Sequence, residues 1–180
     1  MAATPAPIFD FDVVALFEAL DAQRRERGLN WTGVARDIWQ MSHLLNAERG
    51  DHPISPATII GMPKRGMTSC QHALFMLHWL DRVPESFLEG ATSVRPDATL
   101  PRCGPDRRLR WSLKTLYAAL DERRQAEALT WSQLAKILRC TPNQLTGLKA
   151  ARFATNIVLA MRITQWLDEP AATFIRAARW

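Results

Sequence analysis

Amide and hydroxyl side chains follow the dipeptide Thr141-Pro142 in the second half of the chain. Asn143 and Gln144 each carry an amide that can pair bidentately with adenine, and Thr146 can hydrogen-bond a base or contact a thymine methyl group. The same residue types are also common on solvated helix surfaces. Whether they recognise a base therefore depends on the element that carries them.

No catalytic or metal-binding pattern accompanies these residues. The sequence contains no glycine-rich phosphate loop and no nucleophile paired with a base in a recognisable motif. Cys70, His72 and His78 come nearest to a metal site, but their spacing does not place three ligands on one helical face. Together with Cys103 and Cys140, Cys70 makes an odd number of thiols without a repeated spacing, and we expect them to stay reduced. We expect no enzyme, no cofactor and no metal.

The charge is distributed unevenly along the chain, whose 180 residues carry a formal net charge of +5. Residues 1–100 hold 9 Lys and Arg against 12 Asp and Glu, a net charge of −3, whereas residues 101–180 hold 14 against 6, a net charge of +8. A basic surface binds polyanions without sequence preference because it releases counterions from the phosphate backbone. The second half is therefore the candidate for contacting nucleic acid.

The composition is typical of a soluble protein, with 47% hydrophobic and 23% charged residues. No apolar run approaches the ~18 residues that a membrane-spanning helix requires. Met1–Asp10 contains no basic stretch followed by an apolar core, so no secretory signal is visible. We expect a cytoplasmic location.

An internal repeat organises the sequence. When the chain is shifted by 100 residues, Phe11–Ile38 aligns with Trp111–Leu138 and 8 of the 28 positions are identical. After small shifts in register, Trp79 aligns with Trp166, and we expect both tryptophans to lie in a core. A repeat of about 100 residues has the size of a domain, so it predicts two similar domains and not a solenoid.

The apolar residues in each copy recur at helical spacing. The stripe Leu113, Leu116, Tyr117 and Leu120 matches Val13, Leu16, Phe17 and Leu20, and the stripe Trp131, Leu134, Ala135 and Leu138 matches Trp31, Val34, Ala35 and Ile38. A third helix is predicted to begin at Thr141-Pro142 and at Ser55-Pro56, because the hydroxyl can cap free amides and proline suits the first helical turn. A fourth helix is predicted over about 155–167 and 69–80, with a short closing helix around Phe174 and no strand.

The segment Leu129–Leu148 resembles the helix-turn-helix of the lambda repressor/Cro-type (XRE-like) DNA-binding domains. The resemblance covers five helices, about 65 residues from Trp111, and rests on a small residue at Ala135, a short turn after Leu138, and Leu145 and Leu148 facing the core. In such folds the second helix of the motif lies in the major groove.

The resemblance implies that the helix at 142–149 reads DNA with Asn143, Gln144 and Thr146. It also implies phosphate contacts from residues at helix ends and turns, namely Arg124, Ser132, Lys149, Arg152 and Asn156. The sequence differs from the usual family pattern at two positions, where Trp131 begins the first helix of the motif and Arg139 replaces the turn glycine.

The first copy departs from the motif in its turn. From Ala35 to Pro56 is 21 residues, whereas Ala135 to Pro142 is 7, so 14 residues are inserted, and their spacing predicts a lengthened second helix that stops at Gly50. The following helix, at 56–62, is nearly all apolar. We therefore predict that the first copy serves mainly for interaction, although Lys64 and Arg65 can meet a phosphate.

These features divide the chain into an N-terminal tail (1–9), a divergent helix-turn-helix domain with the insertion (10–90), a Pro/Arg-rich linker (91–109) and a DNA-binding helix-turn-helix domain (110–180). We call residues 10–90 copy one and residues 110–180 copy two. The predicted fold class is all-α, with two tandem lambda-repressor-like domains of about four to five helices each. The arginines at 102, 107, 108 and 110 are interpreted as solvated, with a basic arm that follows DNA as the alternative.

The expected function is that of a sequence-specific, double-stranded-DNA-binding transcriptional regulator, most simply a repressor that occupies a promoter. A homodimer involving residues 10–90 is the preferred arrangement, and a pseudo-dimer of the two copies in one chain is the alternative. A different class of function also stays open. The scaffold is reused in that case by a protein-protein adaptor or inhibitor, which suits the acidic charge and the apolar helix of copy one.

Overall fold

A computed structural model of the chain describes residues 6–151 and 155–179. Copy one contains six α-helices and a 3₁₀ turn. They are α1 (Val13–Glu26), α2 (Trp31–Gln40), α3 (His43–Arg49), α4 (Pro56–Ile60), α5 (Met62–Arg65), α6 (Cys70–Leu80) and the 3₁₀ turn Pro84–Phe87.

From residue 108 onward, the described residues form four α-helices, two 3₁₀ turns and two short strands. In chain order, the elements from residue 108 onward are β1 (Arg108–Trp111), α7 (Leu113–Ala126), α8 (Trp131–Ile137), α9 (Pro142–Thr146), the 3₁₀ turn Gly147–Ala150, α10 (Ile157–Leu167), the 3₁₀ turn Ala171–Phe174 and β2 (Ile175–Ala178). The predicted starts of the third helices are confirmed, because the hydroxyls of Ser55 and Thr141 cap α4 and α9 and a proline follows each.

The fold is mostly helical, as predicted, but it is not purely all-α. β1 and β2 form an antiparallel pair in which Trp111 faces Ile175 and Arg108 faces Ala178. The predicted closing helix around Phe174 is a 3₁₀ turn that leads into β2. In copy one, Phe11, which aligns with Trp111, forms a single antiparallel bridge with Leu88. Both copies therefore pair their two ends, and in copy two this pairing extends to a two-stranded sheet.

The spacing predicted that the insertion in copy one lengthens the second helix, and this prediction is wrong. α2 ends at Gln40, and α3 is a separate helix that ends at Gly50 in the left-handed conformation. The break lets α3 turn toward the connection between the copies, where the amides of Leu44 and Leu45 both donate to the carbonyl of Pro105 at 3.1 and 3.3 Å. The insertion therefore supports the segment that enters copy two.

Arg108 anchors this contact and is not a solvated linker residue. Its side chain is buried, and its guanidinium donates to the amide oxygen of Asn46 and to the carboxylate of Asp51 at 3.1 Å. Arg110 is half-buried, and burial together with the charge of Arg108 lowers its pKa. Arg102 and Arg107 are exposed.

The buried apolar side chains of both copies form one continuous core that includes Trp79 and Trp166 as expected. α6 and α10 lie in its centre, which explains why apolar residues cover nearly all of their circumference. None of the helices in the described ranges is long and apolar enough to cross a membrane.

α6 and α10 meet at their N-termini, where their N-cap residues Ser69 and Asn156 face each other in an antiparallel bridge. The amide after each N-cap donates to the carbonyl before the other N-cap, from Cys70 to Thr155 at 2.7 Å and from Ile157 to Thr68 at 3.0 Å. Because the two bonds exchange equivalent positions of the copies, they define a local two-fold axis between Ser69 and Asn156.

Two glutamine side chains also join the copies, from positions that are not equivalent in the repeat. Gln165 on α10 exchanges hydrogen bonds with the backbone of Phe9, both at 2.9 Å. Gln71 on α6 donates to the carbonyl of Leu109 at 2.8 Å and accepts from the amide of Trp111 at 3.3 Å. The segment before α1 therefore lies on α10, and the segment before α7 lies on α6.

Candidate nucleic-acid interface

A short turn joins the helices α8 and α9. α8 ends at Ile137, and Arg139 has a φ of 54°, the left-handed conformation that glycine adopts most readily. The amide of Cys140 then donates to the carbonyl of Ala135 at 2.9 Å, which closes the end of α8. Ala135, Leu145 and Leu148 are buried, so the small residue and the two leucines occupy the positions that sequence reasoning gave them.

Arg162 on α10 forms hydrogen bonds with the turn that follows α8. Its guanidinium donates to the carbonyls of Leu138 and Arg139 at 3.2 and 3.0 Å. The same group donates to the carboxylate of Asp10 at 2.8 Å, and Arg139 donates to that carboxylate at 2.7 Å. The hydrogen bond from Arg162, with the charges of both arginines, lowers the pKa of Asp10. No sequence signal identified this group, because Asp10 is distant in the chain.

The three predicted base-reading residues are all exposed on α9, but their side chains are not equally free. The amide oxygen of Gln144 accepts from the backbone amide of Thr141 at 2.9 Å and from its hydroxyl at 3.2 Å, which completes a capping box. The hydroxyl of Thr146 donates to the carbonyl of Pro142 at 3.2 Å. The side chain of Asn143 makes no hydrogen bond with the described residues.

The predicted phosphate contacts fall into different environments. Ser132 in the first turn of α8 and Lys149 beyond α9 are exposed. Asn156 is half-buried, and its side chain accepts from the amide of Leu159 at 2.8 Å as the N-cap of α10. Arg152 lies outside the described residues. Asn156 lines one cleft with the α9 residues Asn143 and Gln144, so the structure brings these predicted site residues together.

Arg124 already has a structural position. Its guanidinium donates to the carboxylate of Asp121 at 2.6 and 2.9 Å and to the carbonyl of Leu129 at 2.6 Å. The same group lies 4.5 Å from the centre of the Trp131 ring, and its side chain is 17% exposed. Copy one repeats this arrangement with Arg24, and the phosphate contact of Arg124 stays a prediction.

The local charge of two segments differs from the total charge of the halves that contain them. Residues 128–167 contain five Lys and Arg and no Asp or Glu, and residues 52–80 of copy one contain Lys64 and Arg65 and likewise no acidic residue. We call these two ranges the acid-free segments. The acidic residues of copy one lie outside residues 52–80, so the net negative charge of copy one does not extend to this segment.

Copy one presents in α4 a more apolar counterpart of α9. Ile59 and Met62 are buried, whereas Ile60 and Met67 are each 50% exposed. Lys64 is exposed, and so is Arg65, whose guanidinium donates to the carbonyl of Thr58 at 2.8 Å.

A cleft of about 390 Å³ lies beside the local two-fold axis. Thr58, Arg65, Ser69 and His72 of copy one line it together with Asn156 of copy two. Burial and the charge of Arg65 lower the pKa of His72. The region around α4 and α5 of copy one therefore adjoins the N-cap of α10 in copy two.

The cysteines show no arrangement for shared chemistry in the described part of the chain. Cys70 is buried at the start of α6, and burial raises the pKa of its thiol to about 12. Cys140 is half-buried at the turn after α8, where burial also raises its pKa. Comparison with known proteins finds no matching protein family, no matching curated protein and no matching solved structure.

Proposed function

We propose that the chain is a sequence-specific, double-stranded-DNA-binding transcriptional regulator of the repressor type, with two tandem helix-turn-helix domains of which copy two reads the major groove. The observation that carries the proposal is the α8-turn-α9 unit, which exposes Asn143 on a short helix within an acid-free segment of the sequence. A second helix of a helix-turn-helix that is exposed and free of carboxylates can approach the phosphate-lined groove without repulsion.

The proposed contacts divide into positioning and reading. Ser132, Lys149 and Arg152 are assigned to phosphates, because a hydroxyl at a helix start and basic side chains suit anionic oxygens. The amide of Asn143 is assigned to adenine. Occupation of a promoter by such a protein would repress transcription, and the protein would act in the cytoplasm with its thiols reduced.

The experiment that tests this function is selection of bound duplexes from a random pool, followed by fluorescence anisotropy of the enriched duplex at several salt concentrations. We expect one enriched motif, with an affinity that falls linearly on logarithmic axes as salt rises. Asn143→Ala should weaken binding to the enriched duplex by about tenfold to a hundredfold and to random duplex far less.

Gln125→Ala provides the control, because Gln125 is an exposed amide on α7 that lies outside the acid-free segment. It should bind like the unaltered protein. No enrichment, together with no salt-dependent retention on duplex DNA, contradicts the proposal.

A second candidate function is that of a protein-protein adaptor. It is favoured by Ile60 and Met67, which are each 50% exposed in copy one. In that case Ile60→Ser should abolish capture of a protein partner while duplex DNA fails to bind the unaltered chain. Duplex binding by the unaltered chain favours the regulator.

A further inference from the structure

At the bridge between Ser69 and Asn156, a local two-fold relation places the segment that follows α4 and α5 in copy one beside the segment that follows α9 in copy two. The bridge between Ser69 and Asn156 is reciprocal. The chain between the start of α4 at Pro56 and Ser69 is similar in length to the chain between the start of α9 at Pro142 and Asn156. A two-fold relation between two helix-turn-helix units is the arrangement that matches two half-sites on a duplex.

We infer that one chain binds two adjacent half-sites as a built-in pseudo-dimer, in which copy two reads bases and copy one grips the phosphate backbone of the neighbouring half-site with Lys64 and Arg65. This inference rests on the proposed function and adds to it the stoichiometry and the shape of the site. The site is asymmetric, because α9 offers Asn143 to the bases whereas α4 offers the apolar side chain of Ile60.

The charge of copy one supports a role on the backbone. Lys64 and Arg65 are both exposed at the end of α5 in the acid-free segment of copy one. The guanidinium of Arg65 donates to the carbonyl of Thr58 at 2.8 Å, and Arg65 lines one cleft with Asn156. Basic side chains without neighbouring amides for base recognition supply affinity and not sequence preference.

The contacts between the copies fix their relative position before DNA binds. The continuous core, the bridge at the axis and the clasps of Gln71 and Gln165 join the copies by residues of both halves. A unit that is already assembled does not lose the translational and rotational freedom that two separate chains lose when they meet on DNA. A single chain is therefore sufficient to occupy both half-sites.

Two measurements test the inference on the full chain. Native mass spectrometry of the protein with its selected duplex should give one chain per duplex, and the selected motif should lack two-fold symmetry. The double variant Lys64→Ala/Arg65→Ala should reduce the slope of log affinity against log salt by about 1.8, the value for two lost phosphate contacts, and leave the base preference unchanged.

The matched control is Arg25→Ala/Lys114→Ala, which removes two exposed positive charges from α1 and α7, outside both acid-free segments. It should retain the slope of the unaltered protein. Two chains on a symmetric duplex, or an unchanged slope in the Lys64 and Arg65 variant, overturns the pseudo-dimer while the proposed function stands. No binding of any duplex by the unaltered chain overturns both.

Discussion

The carboxylate of Asp10 lies 2.7 Å from Nη2 of Arg139, although 129 residues separate the two in the chain. Arg162 donates to the same carboxylate and to the two carbonyls of the turn. One acidic residue at the start of copy one therefore offsets two positive charges at the turn between α8 and α9, and through Arg162 it supports that turn.

Replacing Asp10 with Asn should destabilise the protein by about 1 kcal/mol at pH 7, because it removes a charge-assisted contact that is partly exposed to solvent. Arg162 and Arg139 lower the pKa of Asp10 in the folded state. The carboxylate therefore contributes stability above its unfolded pKa of about 3.9, and this contribution is lost as the pH falls through the lower folded value. In urea unfolding, the difference from the variant should therefore be smaller at pH 3 than at pH 7.

Asp97→Asn is the control for this prediction, because Asp97 pairs with Arg95 on the surface of the connection between the copies. Solvent screens that pair, so its loss should change unfolding less than the loss of Asp10. An equal difference at pH 7 and pH 3 for Asp10→Asn contradicts the assigned ion pair.

The ends of the first helices predict a stabilising substitution. Ala128 after α7 has a φ of 53°, and the equivalent residue of copy one is Gly28, with a φ of 65°. A side chain in the left-handed region is strained, so Ala128→Gly should raise the free energy of unfolding by about 0.5–1 kcal/mol, less whatever glycine adds to the entropy of the unfolded chain. Thermal unfolding measures the change.

The reciprocal variant Gly28→Ala should lower stability by a similar amount. A β-carbon at Gly28 meets no heavy atom within 4 Å, so no steric clash adds to the backbone strain, which the lower entropy of the unfolded chain partly offsets. A loss of stability in Ala128→Gly would show that the strain at this position is smaller than the flexibility that glycine adds.

Local sequence signals predicted much of this fold, because caps and apolar spacing act over a few residues. Ser55 and Thr141 indicated where α4 and α9 begin, and Gly50 indicated where a helix ends, although that helix is the separate α3 and not a lengthened α2. The strands were missed because each has four residues, and β1 includes the arginines Arg108 and Arg110. So short and charged a segment becomes a strand through its partner and not through its own propensity.

The contacts between the copies were the part that sequence reasoning could not give. Arg108 has the composition of a solvated linker, but Asn46 and Asp51 of the insertion surround it. Phe9 belongs to the predicted tail, yet its backbone pairs with Gln165, 156 residues away. Such contacts depend on how the two copies dock, and a pattern within either copy contains no information about it.

Arg124 tests whether a predicted phosphate contact is a structural residue. Arg124→Ala should lower the free energy of unfolding by about 2 kcal/mol, because it removes charge-assisted hydrogen bonds to Asp121 and Leu129 and the stacking on Trp131. Arg24→Ala is the matched variant in copy one, where the same three contacts recur. Chemical denaturation should give similar losses for both.

DNA binding separates the two roles of Arg124. If the residue is structural only, Arg124→Ala measured well below its unfolding temperature should keep the salt slope of the unaltered protein. A slope reduced by about 0.9, found in Arg124→Ala and not in Arg24→Ala, assigns one phosphate to Arg124.

The capping box of α9 makes different predictions for Gln144 and Asn143. Bidentate pairing with adenine requires both the oxygen and the nitrogen of an amide, but the oxygen of Gln144 is held by Thr141. Gln144→Glu keeps an acceptor for Thr141 and loses the amide donor, whereas Gln144→Ala loses both. If Gln144 leaves the box to read a base, each variant should weaken binding to the preferred duplex by about 1–3 kcal/mol and relax its specificity.

Gln133→Ala separates capping from recognition, because Gln133 completes the equivalent box with Thr130 at the start of α8. Gln133→Ala should lower stability by about 1 kcal/mol, as Gln144→Ala does, but Gln133→Ala should not change the base preference. Competition between the preferred duplex and singly altered duplexes in a mobility-shift assay measures that preference. Unchanged discrimination in Gln144→Glu, together with lost discrimination in Asn143→Ala, would place base reading on Asn143 and leave Gln144 as the residue that shapes the helix presenting it.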